Sequence, residues 1–98
     1  MEIIHLEKET DFKELTKEDK ILIDFFATWC GPCRMLVPVL EKVESDIKVI
    51  KVDTDRFDDL AREYGVMSIP TLVLLDKGKE VKRNVGFIDK NNLETFLK

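Results

Sequence analysis

An α/β domain is predicted, with a mixed central sheet, helices on both faces, a parallel half made of βαβ units and an antiparallel hairpin at the end. A run of β-branched and aromatic residues, Lys20 to Ala27, and an alternating to apolar run, Lys48 to Val52, are each followed by a helical segment, which is the alternation of βαβ units. Two later runs, Thr71 to Leu75 and Glu80 to Val85, are separated only by Asp76-Lys77-Gly78-Lys79. So short a connection containing glycine returns the chain antiparallel. The 98 residues are read as a single domain, 1–98, with no linker, repeat or low-complexity segment.

Taken in order, Ile3, Ile4 and Leu6 form a short first strand, and Thr10 is a plausible N-cap for a helix carrying Phe12 and Leu15. Lys20 to Ala27 is the central strand, because its near-continuous apolar character suits burial on both faces. After Trp29-Cys30-Gly31-Pro32-Cys33 the residues Leu36, Val39, Leu40, Val43 and Ile47 make the apolar stripe of a helix, which Pro38 is expected to interrupt. Lys48 to Val52 is the next strand. Asp53 to Asp59 offers several caps for a short helix that ends at Tyr64 and Gly65. After the hairpin, Asp89 caps a last helix with Leu93, Phe96 and Leu97 inward, and Phe12, Phe57 and Tyr64 are assigned to the core.

Composition excludes several functions. Hydrophobic residues at 44% and charged residues at 37% describe a soluble globular chain. No apolar run approaches the about 20 residues of a membrane span. Sixteen basic and twenty acidic residues give a net charge of -4 with no basic stripe, so nucleic acid is not an expected partner. The N-terminus shows no basic leader or cleavage site, so a cytoplasmic location is the default expectation.

Cys30 and Cys33 stand at a strand-to-helix junction, where the free N–H groups and the positive end of the helix dipole favour a thiolate. The first sulfur is expected to stay reachable by solvent, and the second, three residues on, to turn inward. Cys30 is therefore read as the attacking nucleophile and Cys33 as the resolving thiol. Zinc would need four ligands, and the chain adds only the distant His5, so no metal is expected. Inert packing would need neither the helix-start position nor the intervening Gly31 and Pro32.

The segment Asp24-Phe25-Phe26-Ala27-Thr28-Trp29-Cys30-Gly31-Pro32-Cys33 resembles the active-site segment of the thioredoxin family. The resemblance continues through Asp53, Tyr64-Gly65, Ile69-Pro70-Thr71, Gly78 and Val85-Gly86, and so covers essentially the whole chain. It implies a thioredoxin fold and a general protein-disulfide reductant. Such a protein reduces disulfide-containing target proteins through a mixed disulfide, is recharged by a thioredoxin reductase, acts as a monomer and needs no cofactor beyond its own dithiol.

Asp24 lies in an apolar strand, and a buried carboxyl there must have a raised pKa unless the strand shows it to solvent. The resemblance makes Asp24 the group that handles the proton of Cys33, with Lys51 beside it. It also makes the Ile69–Pro70 bond cis, and lines a groove for extended target segments with Trp29, Ile69, Pro70, Val85 and Gly86; for Trp29, core packing competes. Pro32 occupies the position where isomerases and oxidants of this fold carry histidine, so Gly31 and Pro32 tune the dithiol toward reduction. Phe26 and Arg34 depart from the family's commoner tryptophan and lysine. The rival readings are a disulfide isomerase, a glutaredoxin-like protein, and a binding subunit whose cysteines are idle.

Overall fold

The computed structural model describes residues 1–98. Strand β1 (Ile3–His5) leads to a 3₁₀ turn (Glu9–Asp11) and helix α1 (Phe12–Leu15). Then follow β2 (Lys20–Phe26), α2 (Gly31–Lys42), β3 (Lys48–Asp53), α3 (Asp58–Glu63), the hairpin β4 (Thr71–Asp76) and β5 (Lys79–Val85), and α4 (Lys90–Phe96). The sheet order is β1-β3-β2-β4-β5, which makes β2 the central strand. β3 runs parallel to both β1 and β2, β4 antiparallel to β2, and β5 antiparallel to β4.

Alternation along β2 builds a core on each side of the sheet. Ile21, Ile23 and Phe25 point to one face, where Phe12 of α1 and Leu60 of α3 cover them together with Phe57. Leu22 points to the other, against Leu36 and Leu40 of α2 and Leu93 of α4. Each large aliphatic side chain so buried contributes roughly 1.5–3 kcal/mol. Asp24 points to the α2 face as well, and it is the one charge in β2's buried stretch.

Local chemistry explains most boundaries. Gly65 at φ +63 closes α3, its N–H donating to the Arg62 carbonyl while the Val66 N–H donates to Ala61. The Asp89 side chain accepts from the Asn92 N–H and starts α4. The hairpin turns on Lys77 at φ +53 and Gly78 at φ +82, the left-handed pair that matches the twist of antiparallel strands. Gly78→Ala is expected to lower the unfolding free energy by about 1 kcal/mol, read from the urea midpoint, because an L side chain resists that backbone. An unchanged midpoint would contradict the turn's dependence on glycine.

Four expectations change. Thr10 lies inside the 3₁₀ turn and caps nothing, because the chain enters α1 without a side-chain cap. None of the aspartates between 53 and 59 caps α3, which starts from Phe57; Asp53 accepts instead from the Asp55 N–H. Helix α2 runs unbroken through Pro38, which lies on the exposed side, while Leu36 and Leu40 anchor the inner face. Ile47 packs on the same core as α2 but lies beyond the helix, which stops at Lys42.

Candidate active site

Strand β2 carries the chain to the end of the sheet, and the Cys30 N–H closes the turn onto the Ala27 carbonyl at 3.2 Å. Cys30 then takes the N-cap position of α2 in extended conformation, φ −88 and ψ 115. Its carbonyl accepts from the Arg34 N–H at 3.1 Å, and its Sγ accepts from the Cys33 N–H at 3.2 Å. A sulfur thus fills the place usually held by a serine or aspartate oxygen, so an otherwise unsatisfied donor of the helix is aimed at Cys30 Sγ, a position that favours negative charge there. Pro32 fits in the first turn because its missing N–H has no rung to break. Cys30 and Cys33 form a disulfide, with Cα atoms 5.2 Å apart.

Cys30 is less open than its N-cap position implies. It is 5% exposed and Cys33 3%, because Ala27, Phe26 and Ile69 pack around the two sulfurs. Cys30 Sγ lies 3.8 Å from the Ile69 carbonyl oxygen. The next peptide bond, Ile69–Pro70, is cis, and the Pro70 carbonyl accepts from the Gly86 N–H at 2.8 Å. Gly86 adopts φ +96, and Val85 beside it pairs with Thr71. The fold therefore gathers Cys30, Cys33, Ile69, Pro70, Val85 and Gly86 from three distant stretches of chain.

Trp29 is 67% exposed, which removes it from the core. Its indole N–H donates to Asp55 Oδ2 at 2.9 Å. With Ile69, Met67, Val66, Ala61, Thr54 and Ser68 it lines a cleft of about 220 Å³ next to the dithiol. Met67 is almost wholly exposed, and the surface there is mostly apolar. The anchoring Asp55 was not singled out by the sequence, where it reads as one of several caps. Arg34 folds back along α2, its Nη1 donating to the Thr28 carbonyl at 3.0 Å.

Asp24 and Lys51 form a second cluster on the same sheet face, side by side in the register of β2 and β3. Asp24 is 1% exposed and Lys51 6%, so the solvent-facing alternative for Asp24 is gone. Lys51 Nζ stands 3.5 Å from Asp24 Oδ2, an ion-pair distance, yet neither carboxyl oxygen has a hydrogen-bond partner. Burial pushes the Asp24 carboxyl up to about 6, against the opposing pull of the Lys51 charge. The ammonium also sits 4.4 Å from the centroid of the Phe26 ring, a cation–π contact made by the residue that departs from the family's tryptophan. No helix is long and apolar enough to cross a membrane.

Comparison with known proteins gives one consistent result. The family model described as Thioredoxin matches residues 2–98. A curated thioredoxin of Bacillus subtilis is 45% identical over 96 residues, covering 92% of this chain and 92% of its own length. Among solved structures, a mutant thioredoxin from Halobacterium salinarum superposes with a TM-score of 0.90 at 38% identity, covering 98% of this chain and 88% of that one. A chain from a structure of the thiol-resolving mechanism in yeast mitochondrial 1-Cys peroxiredoxin via glutathione/thioredoxin systems gives a TM-score of 0.84 at 36% identity, covering 97% and 92%.

Proposed function

The chain belongs to the thioredoxin family of disulfide oxidoreductases, and from that premise we propose how its residues divide the work. Cys30, as thiolate, attacks one sulfur of a target disulfide; a Cys30–target bond forms and the other target sulfur leaves as thiolate. Cys33 passes its proton to the ionised Asp24 carboxyl and attacks Cys30 Sγ, which breaks the mixed disulfide and frees the second target sulfur. The target has gained two electrons, and the chain is left with the Cys30–Cys33 disulfide that it carries in the structure.

The observation that carries this assignment is the Cys33 N–H aimed at Cys30 Sγ, which supports reading that sulfur as the stabilised anion of the reduced form. Asp24 takes the proton role because a carboxyl with a pKa of about 6 both accepts and releases a proton near neutrality, and Lys51 sets that value by opposing the cost of burial. The backbone of Ile69 and Pro70, with Trp29, Val85 and Gly86 around it, is the surface for an extended target segment. Gly31 and Pro32 keep the dithiol reducing. The Cys30–Cys33 pair is the sole redox group the cycle needs, with no cofactor.

We assign a thioredoxin reductase as electron donor, cytoplasmic disulfide-containing proteins as targets, and a monomer as the working unit; the bacterial relatives and the peroxiredoxin-linked neighbour support this choice. The test is insulin reduction driven by dithiothreitol, repeated with NADPH and a thioredoxin reductase, and with glutathione. Rapid turnover with the reductase is the expected result. Recharging by glutathione alone would place the protein with the glutaredoxins, and a role unchanged with both cysteines replaced by serine would make it a binding subunit.

A further inference from the structure

The buried ion pair continues toward the edge of the sheet. Register sets Asp24 of β2 beside Lys51 of β3, and Lys51 beside His5 of β1. Registered neighbours on adjacent strands point to the same face, so the three side chains form a row beneath α2. Exposure rises along it, from 1% at Asp24 and 6% at Lys51 to an exposed His5 on the edge strand. On the other side of Asp24 the row ends in apolar Leu72 of β4.

Where the row meets α2, a cleft of about 220 Å³ opens between β1 and the helix, lined by Ile3, His5, Val37, Leu40, Glu41 and Lys51. At about 30 Å³ per water molecule it has room for several. Lys51 therefore touches the Asp24 carboxyl on one side and this cleft on the other. The cleft shares no residue with the one at Trp29 and Ile69. Other ionisable groups on this face are Glu41 of α2 in the cleft lining, the Cys33 sulfur at the head of α2, and Asp53 at the end of β3, whose side chain is turned to the Asp55 N–H; His5 also borders a second cleft with Glu7, Asp11 and Glu14.

We propose that Asp24 exchanges its proton with solvent through this edge cleft, with His5 as the outer proton acceptor and donor, away from the surface on which a target sits. The proposal rests on the reading that Asp24 takes the proton of Cys33. In each cycle the carboxyl so loaded must be emptied before the next, and a route through the edge cleft empties it whether or not a target covers the dithiol face. The Lys51 ammonium breaks one N–H bond to cleft water, the neutral amine so formed takes the proton as the Asp24 O–H bond breaks, an N–H bond forms on the His5 imidazole, and the imidazolium yields that proton to bulk water. No electrons move in this step. When a reductase recharges the disulfide the same path runs inward, returning a proton to the Cys33 thiolate. Imidazole suits the outer position because one ring nitrogen accepts a proton while the other donates one.

The test compares wild type, His5→Gln and Asp24→Asn in insulin reduction between pH 6 and 8 at low buffer concentration. His5→Gln is expected to slow turnover about tenfold, less than the ~10²-fold loss of a group that transfers the proton directly. Its urea midpoint should not change, and added imidazole should restore the rate. Asp24→Asn should be slow and gain nothing from imidazole. A His5→Gln protein that turns over at the wild-type rate, or is slow without rescue, overturns the route while a slow Asp24→Asn leaves the Asp24 assignment standing. Wild-type rates in both variants would overturn the route and that assignment together.

Discussion

Asp24→Asn will raise the unfolding free energy by about 3 kcal/mol more at pH 8 than near pH 3.5. The carboxyl moves from 3.8 in the open chain to about 6 in the fold, and each pH unit of difference is worth about 1.36 kcal/mol. For an acid whose value is raised by folding, the folded protein binds the proton more tightly than the unfolded one. The cost is therefore absent in acid, where both states are protonated. It grows as pH rises past about 4 and is complete by about pH 7, where both states are ionised. Asparagine removes the charge at nearly constant shape, so its advantage follows the same curve. Urea unfolding at the two pH values measures it, and a difference that does not vary with pH would show that Asp24 is not a strained anion in the core. The same charge is the one asked to accept the proton of Cys33, so the variant that gains stability should lose turnover.

Cys33→Ser has the larger effect on activity. Attack by Cys30 on a target needs no help from residue 33 beyond its backbone N–H, which serine retains, so the first half of the reaction proceeds. The second half stops because a hydroxyl does not displace a disulfide near neutral pH. The expected outcome is turnover at background and one target bound per molecule of variant, seen as a band on non-reducing electrophoresis that disappears with dithiothreitol. Cys30→Ser should trap nothing. If Cys33→Ser forms no such adduct while Cys30→Ser does, the two sulfurs have been given each other's roles.

Much of this was legible before any coordinates. Local patterns read correctly because their causes are local: the apolar run of β2, the stripe of Leu36 and Leu40, the glycine of the hairpin and the Asp89 cap are each decided within a few residues. The errors at Thr10 and Pro38 arose where burial of a neighbouring face outweighed a local preference. The Cys-x-x-Cys and its helix N-terminus could be reasoned from spacing, whereas the crowding of Cys30 by Ile69 spans 39 residues and has no local signal. Pairing of Trp29 with Asp55, 26 residues on, was invisible for the same reason. Asp24 announced itself as a charge in an apolar strand, but its neighbour depends on parallel register between β2 and β3; only the family resemblance supplied Lys51, and nothing supplied the continuation to His5.

A disulfide reductant that must meet other chains risks gluing itself to them, or to copies of itself, wherever a strand lies unpaired. The sheet's two outer margins meet that hazard differently. On one side β1 offers only three residues, too brief a template for a stray strand. On the other, β5 sets Lys79, Glu80, Lys82 and Arg83 along its seven residues, and the register slips opposite Leu74 and Leu75. Charge and irregularity discourage stacking there. In the proposed reading, adhesion is thereby left to the short backbone stretch at Ile69 and Pro70, where a covalent reaction ends it and the visitor is let go.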